Sequence, residues 1–319
     1  MIDVVALGEL LIDFTCQSVD AEGYPTMAAH PGGAPANFLA ALSRFGAKTA
    51  LLGKVGSDAF GHMLCATLQN AGIDTRGMLL SDDVFTTLAF VTLDEHGDRA
   101  FSFARKPGAD TCIAFEELDT SLIDEAKVFH FGTLSLTDEP ARSTTQKAVA
   151  YAKSKGKLIT YDPNLRKPLW RDLEEAKRQL LWGLQQADVV KISDEEVEFL
   201  FGLGVREGAA HILQNYPVKL VFVTCGAEGC WYQNAVAQGH VPSLSDIRVV
   251  DTTGAGDAFW GAFLPRISES GKELNDLTMD ELWACGDFAC AAASLCVEKR
   301  GGIPAMPSRE SVDQRCRQH

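Results

Sequence analysis

Residues 251–259 read DTTGAGDAF, Asp251 to Phe259. The apolar residues Ile247 to Val250 before this run read as a strand, and the apolar run Ala255–Ile267 reads as a helix. The join is then a strand, a glycine turn and a helix N-terminus. Gly254 and Gly256 let the backbone turn sharply and let a ligand approach where a Cβ would block it. The first N–H groups of a helix have no internal partner, and the dipole adds roughly half a positive charge there. Such a corner suits a phosphate or a developing oxyanion. Asp257 is out of place if the corner only binds anions, because a carboxylate repels them. Two readings fit it: a plain first-turn residue of a helix, or the acceptor for the proton of a hydroxyl that attacks phosphorus. The helix N-terminus favours the ionised form, so Asp257 is expected to be a weak base.

The chain has 319 residues, 46% hydrophobic and 23% charged, which suits a globular protein with a large core. Its net charge of −14 speaks against nucleic acid or an acidic membrane as partner. Affinity for an anion must therefore be local, from helix ends, a metal and a few placed cations. Nine cysteines are scattered without a C-x-x-C, so neither a disulfide framework nor a zinc site is indicated. They read as small buried hydrophobes, and His130 reads as a core strand residue. No signal peptide opens the chain and no apolar run reaches membrane-spanning length, so a cytoplasmic protein is expected.

Outward from the glycine corner, the N-terminal part begins with a strand, Val4–Leu7, and a further apolar run, Leu10–Phe14, that carries Asp13. An isolated Asp in such a run sits at an exposed edge or bonds a polar ligand. Gly32-Gly33 forms a bend, Ala34 to Phe45 has apolar residues at helical spacing, and Gly46 stands where a helix C-cap belongs. Asn37 falls in that helix's first turn. Thr49–Val55 is the next strand, and Ser57-Asp58 start a helix that ends near Gly72. Thr86–Leu93 and Arg99–Arg105, joined by Glu95-His96-Gly97-Asp98, read as a β-hairpin.

From Lys127 strands and helices alternate, with strands at Val128–Gly132, Lys157–Tyr161, Val189–Ile192 and Val218–Thr224. That pattern calls for an α/β fold with a parallel sheet covered on both faces, whose ligands sit at the strands' C-terminal ends. Polar clusters stand there: Asp162 to Arg166, Ser193 to Glu196, Thr224 to Gly229, and Asp251 to Asp257. The last dozen residues are polar and expected to be weakly ordered.

Two of these segments carry a family resemblance. GGAPANFLAALSRFGAKTALLGKVGSD, Gly32 to Asp58, and DTTGAGDAF resemble the N- and C-terminal signatures of the ribokinase-like (PfkB-type) carbohydrate kinases. FARKPGAD, Phe103 to Asp110, and YDPNLRKPLW, Tyr161 to Trp170, resemble the fructokinases in particular, and less closely the 2-keto-3-deoxygluconate kinases. The resemblance spans Val4 to Pro307. It implies a single ribokinase-like α/β kinase domain over residues 1–319, a three-layer α/β/α arrangement with a mostly parallel central sheet. Lid segments at about 10–31 and 84–106 would pair as a small sheet over the sugar.

The resemblance further implies transfer of the ATP γ-phosphoryl group to the 6-hydroxyl of fructose. Asp257 would be the base, and the N–H groups of Gly254, Ala255 and Gly256 the anion hole. Arg166 would face a phosphate or the sugar, and Asp13, Gly32, Gly33, Asn37, Arg105 and Asn164 would hold the sugar. Ser193, Thr224, Gly226, Gly229 and Gly256 would meet the nucleotide, with Cys290 near the adenine. Glu196 would organise water around Mg²⁺, while Asp251, Thr253, Lys299 and Gly301 would border a K⁺ site. Exposed sheet edges invite pairing, so a homodimer through the lid is expected. Another sugar acceptor within the family and a non-catalytic sugar or nucleotide sensor stay open. A dinucleotide oxidoreductase lacks its G-x-G-x-x-G after the first strand.

Overall fold

The computed structural model describes residues 1–93 and 99–318. Strands β1 (Ile2–Leu7), β2 (Leu11–Val19) and β3 (Pro25–Gly32) lead into α1 (Ala34–Arg44), β4 (Thr49–Gly56) and α2 (Ala59–Asn70). Two short strands, β5 (Ile73–Asp74) and β6 (Met78–Ser81), precede β7 (Leu88–Leu93) and β8 (Arg99–Ala104). Alternation follows through α3 (Ser121–Glu125), β9 (Ala126–Gly132), α4 (Ala141–Ser154), β10 (Leu158–Asp162), α5 (Leu173–Gln186) and β11 (Val189–Ser193). It continues through α6 (Asp194–Phe201), α7 (Val205–Asn215), β12 (Leu220–Thr224), β13 (Cys230–Asn234) and β14 (Gln238–Val241). The chain ends with α8 (Ala255–Ser270), α9 (Met279–Val297) and α10 (Arg309–Cys316).

The strands are apolar without a break because both faces of the sheet are covered. Val4 and Ala6 of β1 and Leu220 and Phe222 of β12 enter one core, with residues of α1, α8 and α9. Their neighbours Val5, Leu7, Val221 and Val223 enter the other, with residues of α4, α5 and α7. The period of two along a strand thus divides each hydrophobic run between two helical layers. His130, on β9, is buried in this sandwich, with Nδ1 3.0 Å from Thr160 Oγ1.

The large sheet runs β14-β13-β12-β11-β10-β9-β1-β4-β5, with β6 also paired to β4. Pairing is parallel from β12 to β5 and antiparallel only at β12–β13 and β13–β14. The C-terminal ends of β1, β9, β10, β11 and β12 therefore share one edge, where α/β sheets bind ligands. A second sheet, β3-β2-β7-β8, is built from the segment after β1 and the hairpin, with Phe14 stacked on Phe90 at 5.3 Å. Residues 95–98, where a hairpin turn is expected, lie outside the described residues. Among the described residues no helix is long and apolar enough to cross a membrane.

Two expectations fail. Residues 247–250 form no strand; Val249 and Val250 are exposed, and the N–H groups of Val250 and Asp251 donate to Val297 O at 2.8 and 3.1 Å. The sheet ends at the β13–β14 hairpin, and the segment after it is tied to the end of α9 instead. The C-terminus is not loose either. Ser308 caps α10, accepting from Ser311 N at 3.2 Å; Val312 is buried, and Arg315 pairs with Glu298 at 2.8 Å. One buried valine and two polar anchors order a segment whose composition reads as solvent-facing.

Helices α1 and α8 carry the glycine corner and the Asn37 turn, and a glycine lets them meet. A Cβ on Gly261 would lie 2.4 Å from Ala41 Cβ and 3.0 Å from Phe38 O. We predict that Gly261→Val forces these helices apart and costs about 1–3 kcal/mol in urea denaturation, as overpacked cores do. An unchanged midpoint would show that the helices are not in close contact.

Candidate active site

At the N-terminus of α8, Gly254 takes the left-handed φ of 79° that a side chain would resist, and offers no side-chain cap. Asp257, in the first turn, does not cap its own helix. Its Oδ2 accepts from Asn37 Nδ2 at 2.9 Å, across 220 residues of sequence. Both side chains line a cavity of about 790 Å³, together with Asp13, Thr252, Thr253, Gly254 and Gly256. The Asp257 carboxylate thus lines the cavity and is held by a second helix.

The expectation of a weak base is corrected. Loss of water pushes the Asp257 carboxyl up to about 6. The Lys191 ammonium opposes that rise, Asp162 adds to it, and the Asn37 bond and Arg166 oppose it. Desolvation outweighs the nearby cations and the Asn37 bond here. Lys191 is buried, with Nζ 2.7 Å from Asp162 Oδ2. A Cβ on Gly256 would stand 2.8 Å from that Nζ, so the glycine lets the first turn of α8 rest on the ammonium without displacing it. Burial works to lower the Lys191 pKa; Asp162, Glu196 and Asp257 outweigh it and hold the ammonium charged.

Asp13 on β2 is also pushed up to about 6, by loss of water first, with Arg166 opposing and Asp251 and Asp257 adding. Its Oδ2 lies 2.1 Å from where a Gly32 Cβ would be, so Gly32 seats Asp13 without itself lining the cavity. Gly33, the N-cap of α1, has φ 112°. Arg166 lines the cavity beside Asn164, whose φ of 49° turns the chain after β10. Arg105 does not join them. Its side chain is 2% exposed and is spent on Asp110 Oδ2 at 2.8 Å, Thr137 Oγ1 at 2.7 Å and Leu134 O at 2.8 Å. The guanidinium pairs with the buried carboxylate nearest in sequence rather than reaching the cavity, against the expectation that it holds the sugar.

Ser193 and Glu196 form a capping box on α6 and both line the cavity. Glu196 accepts from Leu165 N at 2.6 Å and Ser193 N at 2.9 Å. Burial and then Asp162 raise its pKa, while Lys191 and the two N–H groups oppose them. Asp162 Oδ1 is buried with no partner among the described residues. Thr224 stands beside Ser193 in the sheet register; its loop, with Gly226 and Gly229, lies one strand beyond the cavity lining. Ala255 is set back from the lining, and its N–H makes a long 3.3 Å bond to Thr252 O. Asp251 accepts from Thr253 N and Gly301 N, each at 3.0 Å, joining the glycine corner to the C-terminal loop; the Lys299 residue is exposed. Cys290 is buried in the core with Sγ 4.0 Å from Cys230 Sγ.

Two charged cavity residues, Lys191 and Glu9, have no role in the sequence reading, and Asp162 falls in one of its polar clusters without a role of its own. Lys191 had a signal, since a lone charge between Val190 and Ile192 inside a strand needs a partner, as Asp13 does. No group of three or more His, Cys, Asp or Glu among the described residues could hold a metal by itself. Asp162 and Glu196 nevertheless offer carboxylate oxygens, one of them orphaned, which suits a hard cation that keeps waters and phosphate ligands.

Comparison with known proteins gives a consistent picture. Residues 1–309 match the model of the pfkB family of carbohydrate kinases. The chain is 43% identical to Fructokinase-1 of Zea mays over 314 residues, 98% of this chain and 96% of the relative. It is 43% identical to Fructokinase-2 of Solanum lycopersicum over 308 residues, 96% and 93% of the two chains. The crystal structure of fructokinase with bound ATP from Xylella fastidiosa superposes with a TM-score of 0.91 at 30% identity, covering 100% and 99% of the two chains. The fructokinase of Vibrio cholerae O395 in its fructose, ADP and calcium ion bound form has a TM-score of 0.85 at 30% identity, covering 98% of each.

A carboxyl raised from 3.8 to about 6 binds its proton more tightly folded than unfolded. Its contribution is therefore fully present below pH 4 and lost as the pH rises through 6. We predict that Asp257→Asn is more stable than the parent at pH 8, by on the order of 1–3 kcal/mol. The gain should shrink as the pH falls from about 6 towards 4. Melting curves across this range check it; a variant less stable at pH 8 contradicts it.

Proposed function

The chain belongs to the pfkB family of carbohydrate kinases, and we propose that it is a fructokinase, transferring the γ-phosphoryl group of ATP to the 6-hydroxyl of D-fructose. The observation that carries this reading is one cavity in which Asp257, Asn37 and Asp13 meet the glycine-rich start of α8. Identity of 40–43% to several fructokinases over nearly the whole chain supports it.

Asp13, Asn37 and the Gly33 turn hold the sugar, with Gly32 seating Asp13. Asp13 accepts two hydroxyls side by side, as a carboxylate does. The primary hydroxyl points at Asp257, which takes its proton. A midpoint near 6 leaves this carboxylate ionised at neutral pH yet more basic than an ordinary Asp. Phosphoryl transfer passes through a loose transition state, so aim matters more than basicity. The N–H groups of Gly254 and Gly256 receive the migrating phosphoryl, joined by that of Ala255 when it leaves Thr252 O. Lys191 and Arg166 bring positive charge to this spot in a chain that is otherwise acidic. Ser193, Asn164 and the Thr224 to Gly229 loop flank the nucleotide. Glu196 and Asp162 would hold Mg²⁺, which would supply positive charge against the phosphates. Asp251, Thr253 and the Lys299–Gly301 loop are the place for K⁺. The second sheet, which reaches the cavity through Leu11, Val91 and Phe103, serves as a lid that keeps water from acting as acceptor.

The inward turn of Arg105 favours fructose over an acidic sugar, because a carboxylated acceptor needs cations facing the cavity. A coupled ADP-release assay with fructose, ribose, glucose and 2-keto-3-deoxygluconate tests this. The highest kcat/KM is expected with fructose; a higher value with the keto acid would reassign the substrate. We further expect Asp257→Asn to keep ATP and fructose binding and lose at least ~10²-fold in kcat. Near-normal turnover would remove Asp257 from the chemistry. In the parent enzyme kcat/KM should fall below about pH 6, as Asp257 and Asp13 take up protons.

A further inference from the structure

We propose that Glu9 is a positioning residue for the sugar acceptor, holding the Gly33–Ala34 turn in register with the junction between the two sheets. The inference rests on the sugar-kinase reading above. Glu9 lies in the short link by which the chain leaves β1 for β2. The other crossings between the sheets are at Gly33, just after β3, at Thr87, just before β7, and at Arg105, just after β8. Glu9, Thr87, Arg105 and Asp110 are all buried. Three of them satisfy one another: Thr87 Oγ1 and Arg105 Nε both donate to Asp110. Glu9 stands beside this cluster but bonds elsewhere. Its Oε1 accepts from Ala34 N at 2.8 Å. Its backbone carbonyl lies 2.4 Å from where a Gly33 Cβ would be.

Helix α1 has no cap from its own N-cap residue, which is glycine. Glu9 supplies that acceptor from another part of the chain, and places its charge at the helix N-terminus, where it is favoured. The first turn it fixes carries Asn37, whose N–H bonds Gly33 O at 2.9 Å and whose side chain reaches Asp257. Asp13 rests on Gly32, one residue before the turn. A shift of this turn therefore moves both sugar-side groups while leaving β10, β11 and β12 alone. Glu9 itself also lines the cavity. Burying a carboxylate here is costly: loss of water pushes it up to about 7, its own N–H and that of Ala34 offset part of this, and Asp110 adds while Arg105 opposes. A neutral side chain of the same size would fill the space without that cost.

The test compares Glu9→Met, which keeps the volume and removes the acceptor, with Glu9→Gln, which keeps an oxygen for Ala34 N–H. Glu9→Met should raise the fructose KM about tenfold or more, with the ATP KM and kcat each within about threefold of the parent. Glu9→Gln should bring the fructose KM back to within about threefold. Hydrogen exchange should show the Ala34 amide losing protection in Glu9→Met and regaining it in Glu9→Gln. An unchanged fructose KM in Glu9→Met overturns the proposal. So does an equal rise in both KM values, or a failure of Glu9→Gln to restore binding while its Ala34 amide is protected. If Glu9→Met does not fold, a Glu9→Gln protein in which only one of the two readouts changes, a raised fructose KM with a protected Ala34 amide or an exposed amide with an unchanged fructose KM, overturns the proposal, and one in which the two are preserved or lost together supports it. If the parent protein releases no ADP with fructose, the kinase reading falls instead, and this inference with it.

Discussion

Asp257 is a carboxylate deprived of water at the positive end of a helix, held by an amide from a second helix. That pairing, Asn37 Nδ2 to Asp257 Oδ2 at 2.9 Å, is the constraint on which the rest turns. It requires α1 and α8 to pack closely, which Gly261 permits. It requires the first turn of α8 to sit directly on Lys191, which Gly256 permits. The glycines of the corner are thus explained by what lies beneath them as much as by what binds above them. Three effects compete at the carboxylate: dehydration, the Asn37 hydrogen bond and nearby charge. Dehydration prevails, leaving a group that is ionised at neutral pH and still able to accept a proton.

The polar wall of the cavity is acidic for its size. Asp13, Asp162, Glu196 and Asp257 face it or border it, with the buried Lys191 and the exposed Arg166 as nearby cations. Such a collection is electrostatically unfinished. Asp162 Oδ1 lacks a partner among the described residues, and Glu196 and Asp13 are both held above the ordinary carboxylate range. A cation accompanying a nucleotide would relieve the Asp162 and Glu196 side, and sugar hydroxyls would relieve Asp13. The protein therefore keeps at the site a strain that its ligands are suited to remove. The removal of native-state strain by substitution, as at Asp257, should cost function and add stability.

Much of this was legible in the residues. The strand–helix alternation after Lys127, the glycine bend before α1 and the DTTGAGDAF run identify the sheet edge and the glycine corner at the start of α8. These are local signals, and local physics decides them. Residues 247–250 misled because apolar alternation says only that a segment suits a strand, not that an edge is free to receive it. Arg105 turns back onto Asp110, five residues on in the same FARKPGAD run, and a motif does not say which way a side chain turns. Lys191 and Glu9 were overlooked because their meaning lies in contacts 29 and 25 residues away, with Asp162 and Ala34. The C-terminal helix was hidden by its polar composition, since one buried valine and an ion pair suffice to dock it.

Everything rests on Asp257 being both dehydrated and held by Asn37, so its titration is the most direct measurement. Carbon-13 NMR of the aspartate carboxyls, with the Asp257 signal assigned by its loss in Asp257→Asn, gives the midpoint in the ligand-free protein. The structure predicts a midpoint near 6, moving higher when Lys191 is replaced by Met. A midpoint near 4, unaffected by Lys191, would mean an ordinary hydrated carboxylate and would contradict the site described above.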